Sequence, residues 1–250
     1  VRQLVASRRV SVNGNVCLDP ARRLKTDDVI KIAAHSAARP PQTEDVKIRF
    51  LDGHVVVIEK PAGITTVRHP EEDEWPDRRK QLQPTLDELL PRVIARYEKK
   101  PLPKGKVPRI RPVHRLDRDT SGLMVFARTV EAERHLGKQF KRHTIHRRYL
   151  AIILGHLEAQ TIDTRLVRDR GDKRRGSTTL PGVGKRAVTH VRPIEDLGRY
   201  SLVECRLETG RTHQIRIHLA ELGHPLCGEK VYNQPLFKPP IVDQSGAPRV

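Results

Sequence analysis

The stretch Arg111-Pro-Val-His114-Arg115-Leu116-Asp117-Arg118-Asp119-Thr120-Ser121-Gly122-Leu123-Met124-Val125-Phe126-Ala127 sets a dense polar run directly before an apolar one. The apolar half, Leu123 to Ala127, predicts a buried strand. The polar half frames Asp117 between Arg115 and Arg118, and by residue type alone it reads as a solvated turn closed by Thr-Ser-Gly. A polar loop positioned by a rigid strand is also a natural place for chemistry. Asp119 is a rival carboxylate. An extended backbone there would put 117 and 119 on one side, and residue type does not choose between them.

Working outward, Val55-Val-Val-Ile58 predicts a buried strand stopped by the turn Lys60-Pro61-Ala62-Gly63, with an acidic solvated loop from His69 to Asp77. Leu86, Leu89, Leu90, Val93 and Ile94 recur at helical spacing, and Pro84-Thr85 can start that helix. The Pro- and Lys-rich run Lys99 to Arg111 reads as a flexible phosphate contact. Val130 to Phe140 predicts a helix and Arg147 to Gly155 a strand. Arg165 to Arg186 is the most basic segment and reads as a loop or hairpin laid along phosphates. Tyr200 to Thr209 alternates with period two, with Val203, Cys205 and Leu207 on the buried face and Glu204, Arg206 and Glu208 on the polar one.

At the amino end Val1, Leu4 and Val5 have helical spacing, and Asn13-Gly14 between alternating apolar residues predicts a hairpin. Arg22 to Ile32 supplies a turn and a strand. Arg2, Arg8, Arg9, Arg22, Arg23 and Lys25 give this appendage a basic face. Ala34 to Thr43, with Pro40-Pro41, has linker composition.

The 250 residues carry 48 Lys and Arg against 30 Asp and Glu, a formal charge of +18. That field favours polyanionic partners, nucleic acid first. No apolar run approaches membrane-spanning length, so a membrane role is discounted. Cys17, Cys205 and Cys227 lie far apart, which argues against a disulfide framework or zinc site and points to a reducing cytoplasm. The chain begins with Val1 and its one methionine is Met124, so it is expected to be a piece of a longer protein.

Three segments in chain order carry a resemblance. His114-Arg115-Leu116-Asp117-Arg118-Asp119-Thr120-Ser121-Gly122-Leu123-Met124 resembles the signature loop of the RluA-type pseudouridine synthases. Arg147-Arg148-Tyr149-Leu150-Ala151 is similar to the family's Lys-x-Tyr-x-Ala, with Arg where Lys is usual. Gly210-Arg211-Thr212-His213-Gln214-Ile215-Arg216-Ile217-His218-Leu219, with Leu222-Gly-His-Pro225 following, matches a third motif. The Lys-Pro-Ala-Gly turn also resembles the family, and Gly228-Glu229-Lys230-Val231-Tyr232 stands where it has Gly-Asp-x-x-Tyr. Residues 1–35 resemble the latter part of the alpha-L RNA-binding motif.

The resemblance implies an α+β fold: a mixed, mainly antiparallel sheet with flanking helices. It implies a partial appendage over 1–35, a linker over 36–46 and a catalytic domain over 47–250 whose carboxyl end is truncated. It implies RNA as partner, ribosomal or transfer, in the cytoplasm, with no cofactor, metal or membrane, and a monomer is expected. Asp117 would be catalytic, Arg211 its ion-pair partner and Tyr149 the residue against the base. Arg115, Arg118, Arg147, Arg148, Arg174, Arg175, His213 and Gln214 would contact RNA.

Other chemistries fit less well. His213 and His218 would lie on opposite faces of a strand, which argues against a metal site. Asp119 stands where Gly-x-Ser-x-Gly around Ser121 needs glycine, and Gly184-Lys185 lacks the rest of a phosphate loop. A glycosidase needs a second acid where this chain offers Arg211. A non-catalytic RNA-binding protein is the remaining alternative.

Overall fold

The computed structural model describes residues 2–33, 43–102 and 109–233. The chain forms two compact units, Val1–Gly137 and Lys138–Val250.

The first unit opens with helix α1 (Arg2–Ala6), strands β1 (Val10–Val12) and β2 (Asn15–Val16), and β3 (Ile30–Ile32), in the sheet order β2-β1-β3. The β1–β2 turn places Asn13 and Gly14 at φ 52 and 78, the left-handed pair that a tight hairpin requires. Val5, Val10, Val12 and Cys17 form its small core. The Asn13 side chain accepts from the Val29 amide at 2.8 Å and donates to Asp28 at 2.7 Å, which fixes the approach to β3.

After a 3-10 turn at Thr43–Asp45 come β4 (Lys47–Leu51), β5 (Val55–Lys60), a second 3-10 turn at Pro70–Glu72, α2 (Asp77–Leu82), α3 (Leu86–Tyr97), β6 (Arg111–Pro112) and β7 (Gly122–Ala127). The strands form one antiparallel sheet, β4-β5-β7-β6. Period two buries Val56, Ile58 and Lys60 on one face of β5. Helix α3 begins in a capping box between Thr85 and Glu88, and the expected stripe from Leu86 to Ile94 is its buried side. The segment from His69 is less loop-like than its composition suggests. Its Trp75 ring lies 3.5 Å beneath the Arg79 guanidinium carbon, and α2 follows it.

The chain passes into the second unit within α4 (Val130–Lys141). There β8 (Arg147–Leu154), β9 (Gln160–Val167), β10 (Gly176–Thr178), β11 (Lys185–Asp196) and β12 (Tyr200–Leu207) form an antiparallel sheet in the order β10-β9-β11-β12-β8. Pro193 coincides with a register shift in β11, where a residue without an amide proton is tolerated. Ile153, Leu157, Ile162, Val191, Val203, Cys205 and Leu219 make the main core. Leu219 comes from α5 (Gln214–Glu221), which lies against β10 and β11. This helix corrects the strand expected for the segment holding His213 and His218.

The fold is therefore α+β as expected, with every sheet pairing antiparallel among the described residues. Most of the expected linker, the middle of the Lys99–Arg111 run and the carboxyl end beyond 233 lie outside the described residues.

Candidate active site

Asp117 opens a turn: the Thr120 amide donates to its carbonyl at 3.1 Å, which leaves 118 and 119 at the turn's centre. The extended geometry considered for Asp117 and Asp119 is thereby excluded. Asp119 is exposed and Asp117 half-buried.

The residues on either side of Asp117 are both tied to the segment following β5. On one side, the buried Thr66 hydroxyl donates to the Leu116 carbonyl at 2.8 Å and lies 3.3 Å from the Leu116 amide as its acceptor. On the other, the Arg118 carbonyl accepts from the Gly63 amide at 2.8 Å and from the Lys60 ammonium at 2.9 Å. Gly63 sits at φ 86, a conformation that favours glycine. Farther back, His114 Nε2 accepts the Val125 amide proton at 3.1 Å, joining the start of the loop to β7. A carboxylate carried this way has a backbone that cannot drift without breaking several buried bonds.

Lys60 is fully buried, and its Nζ also donates to the Pro61 carbonyl at 3.0 Å. Burial pushes its ammonium down to about 8, against the opposing pull of Asp119 and Asp117, whose negative charges favour the protonated form. Arg115 and Arg118 are exposed beside Asp117, and Arg118 Nε donates to the Gly63 carbonyl at 3.2 Å.

In the second unit Tyr149 stands opposite Cys205 in the β8–β12 ladder and packs, partly buried, on the main core. Arg147 shares its face of the strand. The Arg147 guanidinium donates to the Glu208 carbonyl at 2.8 Å and approaches His143 Nδ1 at 3.4 Å. Burial lowers its pKa, and the nearby Arg211 charge reinforces that direction. Gly210 is where the Arg147 side chain passes: a Cβ there would lie 2.3 Å from Nη1. The residue expected to meet RNA thus also grips the end of β12.

Arg148 faces the other way, as alternation demands. On that opposite face it joins Arg192 and Arg206 around Glu204, at 3.2, 3.7 and 2.8 Å. Arg148 therefore leaves the group expected around Tyr149. Glu204 lies on the predicted face but is buried, with 4 % of its side chain exposed. Burial pushes its carboxyl up, yet the Arg206 hydrogen bond and the Arg148 and Arg192 charges outweigh that and hold it below the usual carboxylate range.

Gln214 is a second correction: expected to touch RNA, it is buried and 2 % exposed. Its oxygen accepts from Thr209 Oγ1 at 2.8 Å and the Arg211 amide at 2.9 Å, and its nitrogen donates to Val188 O and Thr189 Oγ1, both at 2.9 Å. With both ends of its amide engaged inside, it fixes the backbone of Arg211 instead. Arg211 Nε donates to the Arg186 carbonyl at 2.9 Å. His213 caps α5 in the left-handed region at φ 58, with Nδ1 2.7 Å from the Tyr232 hydroxyl. Arg174 donates to the Val231 carbonyl at 3.1 Å, and Arg175 lines a cleft of about 450 Å³ that also includes Arg211.

A model of the family described as RNA pseudouridylate synthase matches residues 54–221, and an S4 domain model matches residues 1–30. The chain belongs to the RNA pseudouridylate synthase family. It is accordingly an RNA isomerase with an S4 segment before its catalytic part. It is 38% identical over 239 residues to the ribosomal large subunit pseudouridine synthase D of Zymomonas mobilis, covering 94% of this chain and 72% of that one. Against the protein of the same name from Nitrosomonas europaea it is 39% identical over 199 residues, covering 79% of this chain and 53% of that one. Among solved structures it is similar to human RNA pseudouridylate synthase domain containing 1, with a TM-score of 0.59, 25% identity, and coverage of 79% of this chain and 73% of that one.

Within this family frame, Lys60, Thr66 and the inward-turned Gln214 are residues whose roles the sequence reading missed. The Lys-Pro-Ala-Gly turn marked Lys60 as part of a motif, but a lysine closing an apolar strand gives no sign that its ammonium points inward. Thr66 carries no signal of its own. Among the described residues no three His, Cys, Asp or Glu side chains gather as a metal site needs, and no helix is long and apolar enough to cross a membrane.

Proposed function

We propose that this synthase isomerises uridine in RNA of the large ribosomal subunit, with Asp117 as the nucleophile, Arg211 as its charge partner and Tyr149 against the uracil. The reading rests on one observation above others: Asp117 is the carboxylate whose chain neighbours are tied down by Lys60, Gly63 and Thr66. The target is suggested by the names of the two bacterial relatives. Residues 1–35 serve as an RNA-docking appendage and 47–250 as the catalytic part. The protein works as a monomer in the cytoplasm.

In the reaction the bond between N1 of uracil and C1′ breaks, the freed base turns, and a bond from C5 to C1′ forms. The C5 proton then leaves and N1 gains a proton, so the product is an isomer and no electrons are exchanged. Asp117 assists loss of the base, either by bonding to the sugar or by promoting a glycal-like sugar. Arg211, as its charge partner, directs it. Tyr149 packs on the base and helps remove the C5 proton. The target nucleotide leaves its stack for this, with Arg115 entering the space behind it. Arg118, Arg147, Arg174, Arg175 and His213 complete the contacts to RNA.

The test is tritium release from large-subunit ribosomal RNA labelled at uracil C5, with transfer RNA as a parallel substrate. Release is expected from the ribosomal transcript and none in Asp117→Asn. A protein that binds the transcript and releases nothing is a binder, and release from transfer RNA alone moves the target.

A further inference from the structure

We propose that the cleft of the second unit binds a backbone phosphate of the RNA, an inference that rests on the function proposed above and deepens it. The cleft encloses about 450 Å³ between β9, β11 and the turn after β12, and Arg168, Arg175, Lys185 and Arg211 line it without any carboxylate. Its size suits part of a nucleotide, since small-ligand sites begin at about 300 Å³.

The charge pattern around it is selective. Three neighbouring arginines are matched with acids: Arg170 with Asp172 at 3.0 Å, Arg186 with Asp163 at 2.6 Å and Arg216 with Glu229 at 2.6 Å. Among the described residues Arg168, Arg175 and Lys185 form no ion pair. Collecting unmatched positive charges in a concavity costs repulsion, which an anion in the cleft relieves. Guanidinium forks and an ammonium around one point suit a phosphodiester.

The walls are set beforehand. Gly184 runs so close to β9 that a Cβ there would lie 2.9 Å from the Leu166 carbonyl oxygen, and its φ of 77 favours glycine as well. Arg211 is held by Gln214 through its amide and by the Arg186 carbonyl through Nε. Because Arg211 is also the proposed partner of Asp117, the phosphate bound is one beside the target uridine.

Binding of a large-subunit ribosomal transcript is measured across salt with Asp117→Asn as the background. Adding Arg168→Gln, Arg175→Gln and Lys185→Gln is expected to weaken binding about tenfold and to reduce the slope of log affinity against log salt by about one. A charge-matched control on α4, Arg134→Gln with Lys138→Gln and Lys141→Gln, all exposed, removes the same charge elsewhere and is expected to cost less than about threefold. No loss in the first set, or equal losses in both, overturns the proposal. Circular dichroism checks folding, and Arg168→Gln with Lys185→Gln, both exposed, carries the test if the triple variant does not fold. Tritium release is scored separately in the Asp117 protein. Cleft-dependent binding without release sinks the isomerase reading alone, and release with cleft-independent binding sinks the phosphate site alone.

Discussion

The Thr66 hydroxyl holds Leu116 at both its carbonyl and its amide, at 2.8 and 3.3 Å, immediately before Asp117. Thr66→Val keeps the shape and removes the hydroxyl, leaving buried backbone groups unmatched at a cost of about 1–3 kcal/mol. Turnover of the labelled transcript is expected to fall at least about tenfold with KM little changed, because the loss disturbs the approach of the carboxylate rather than RNA binding. Thr66→Ser should restore most of it. A Thr66→Val enzyme as fast as its parent would show that Asp117 needs no such hold.

Lys60 gives a pH signature. Its folded value, about 8, lies below the ordinary 10.5, so between these the unfolded chain holds more protons than the folded one. Stability from this group is fully present above 10.5 and is lost as pH falls toward 8. Urea unfolding of the parent should therefore carry a rising contribution across that window, and Lys60→Met should flatten it. Lys60→Met should also slow turnover, since the Arg118 carbonyl loses one donor.

The buried His218 predicts the acid limb. Burial pushes its pKa down from 6.5 to about 4, against a weaker pull from Asp163, while Thr164 and Thr189 lie 3.0 and 2.9 Å from its ring nitrogens. The imidazole is neutral in the folded protein, and the unfolded chain takes up its proton first. Stability is full above 6.5 and declines as pH falls toward 4, by about 3 kcal/mol from this group. His218→Asn should show a shallower decline over the same range, even though it starts less stable. An unchanged slope would contradict the assignment.

Gly210→Ala tests the grip of Arg147 on the end of β12. The added methyl occupies the place of Nη1, so the guanidinium must swing away from the Glu208 carbonyl. Turnover should fall several-fold, and Arg147→Met should lose a similar amount. The double variant should be little worse than either single one, a non-additivity expected of residues acting through one contact.

Much of this fold is written in local pattern. The alternation of Val56, Ile58 and Lys60, the stripe of α3 and the Asn13-Gly14 turn each specify their element without help from distant residues. Helix α5 was not legible. Ile215, Ile217 and Leu219 alternate like a strand, while burial of Gln214, Ile217, His218, Leu219 and Ala220 removes the polar stripe that marks a surface helix. Alternation gave the correct face for Glu204, but three arginines from three strands converge to bury it, which no single strand encodes. The motif register named Asp117, while its supports come from residues some 50 positions earlier in the chain, beyond the reach of local pattern.

Strand β8, which carries Tyr149, pairs in the described sheet with β12, while β9, β10 and β11 come between them in the chain. During synthesis, Tyr149 leaves the ribosome about fifty residues ahead of its partner, a wait of several seconds at about 5–20 residues per second. A nascent chain halted before Tyr200 holds that tyrosine on an unzipped ribbon, so the centre proposed around Tyr149 is completed late in translation. Stop codons anywhere from the β9 region to the start of β12 should all yield equally inert products.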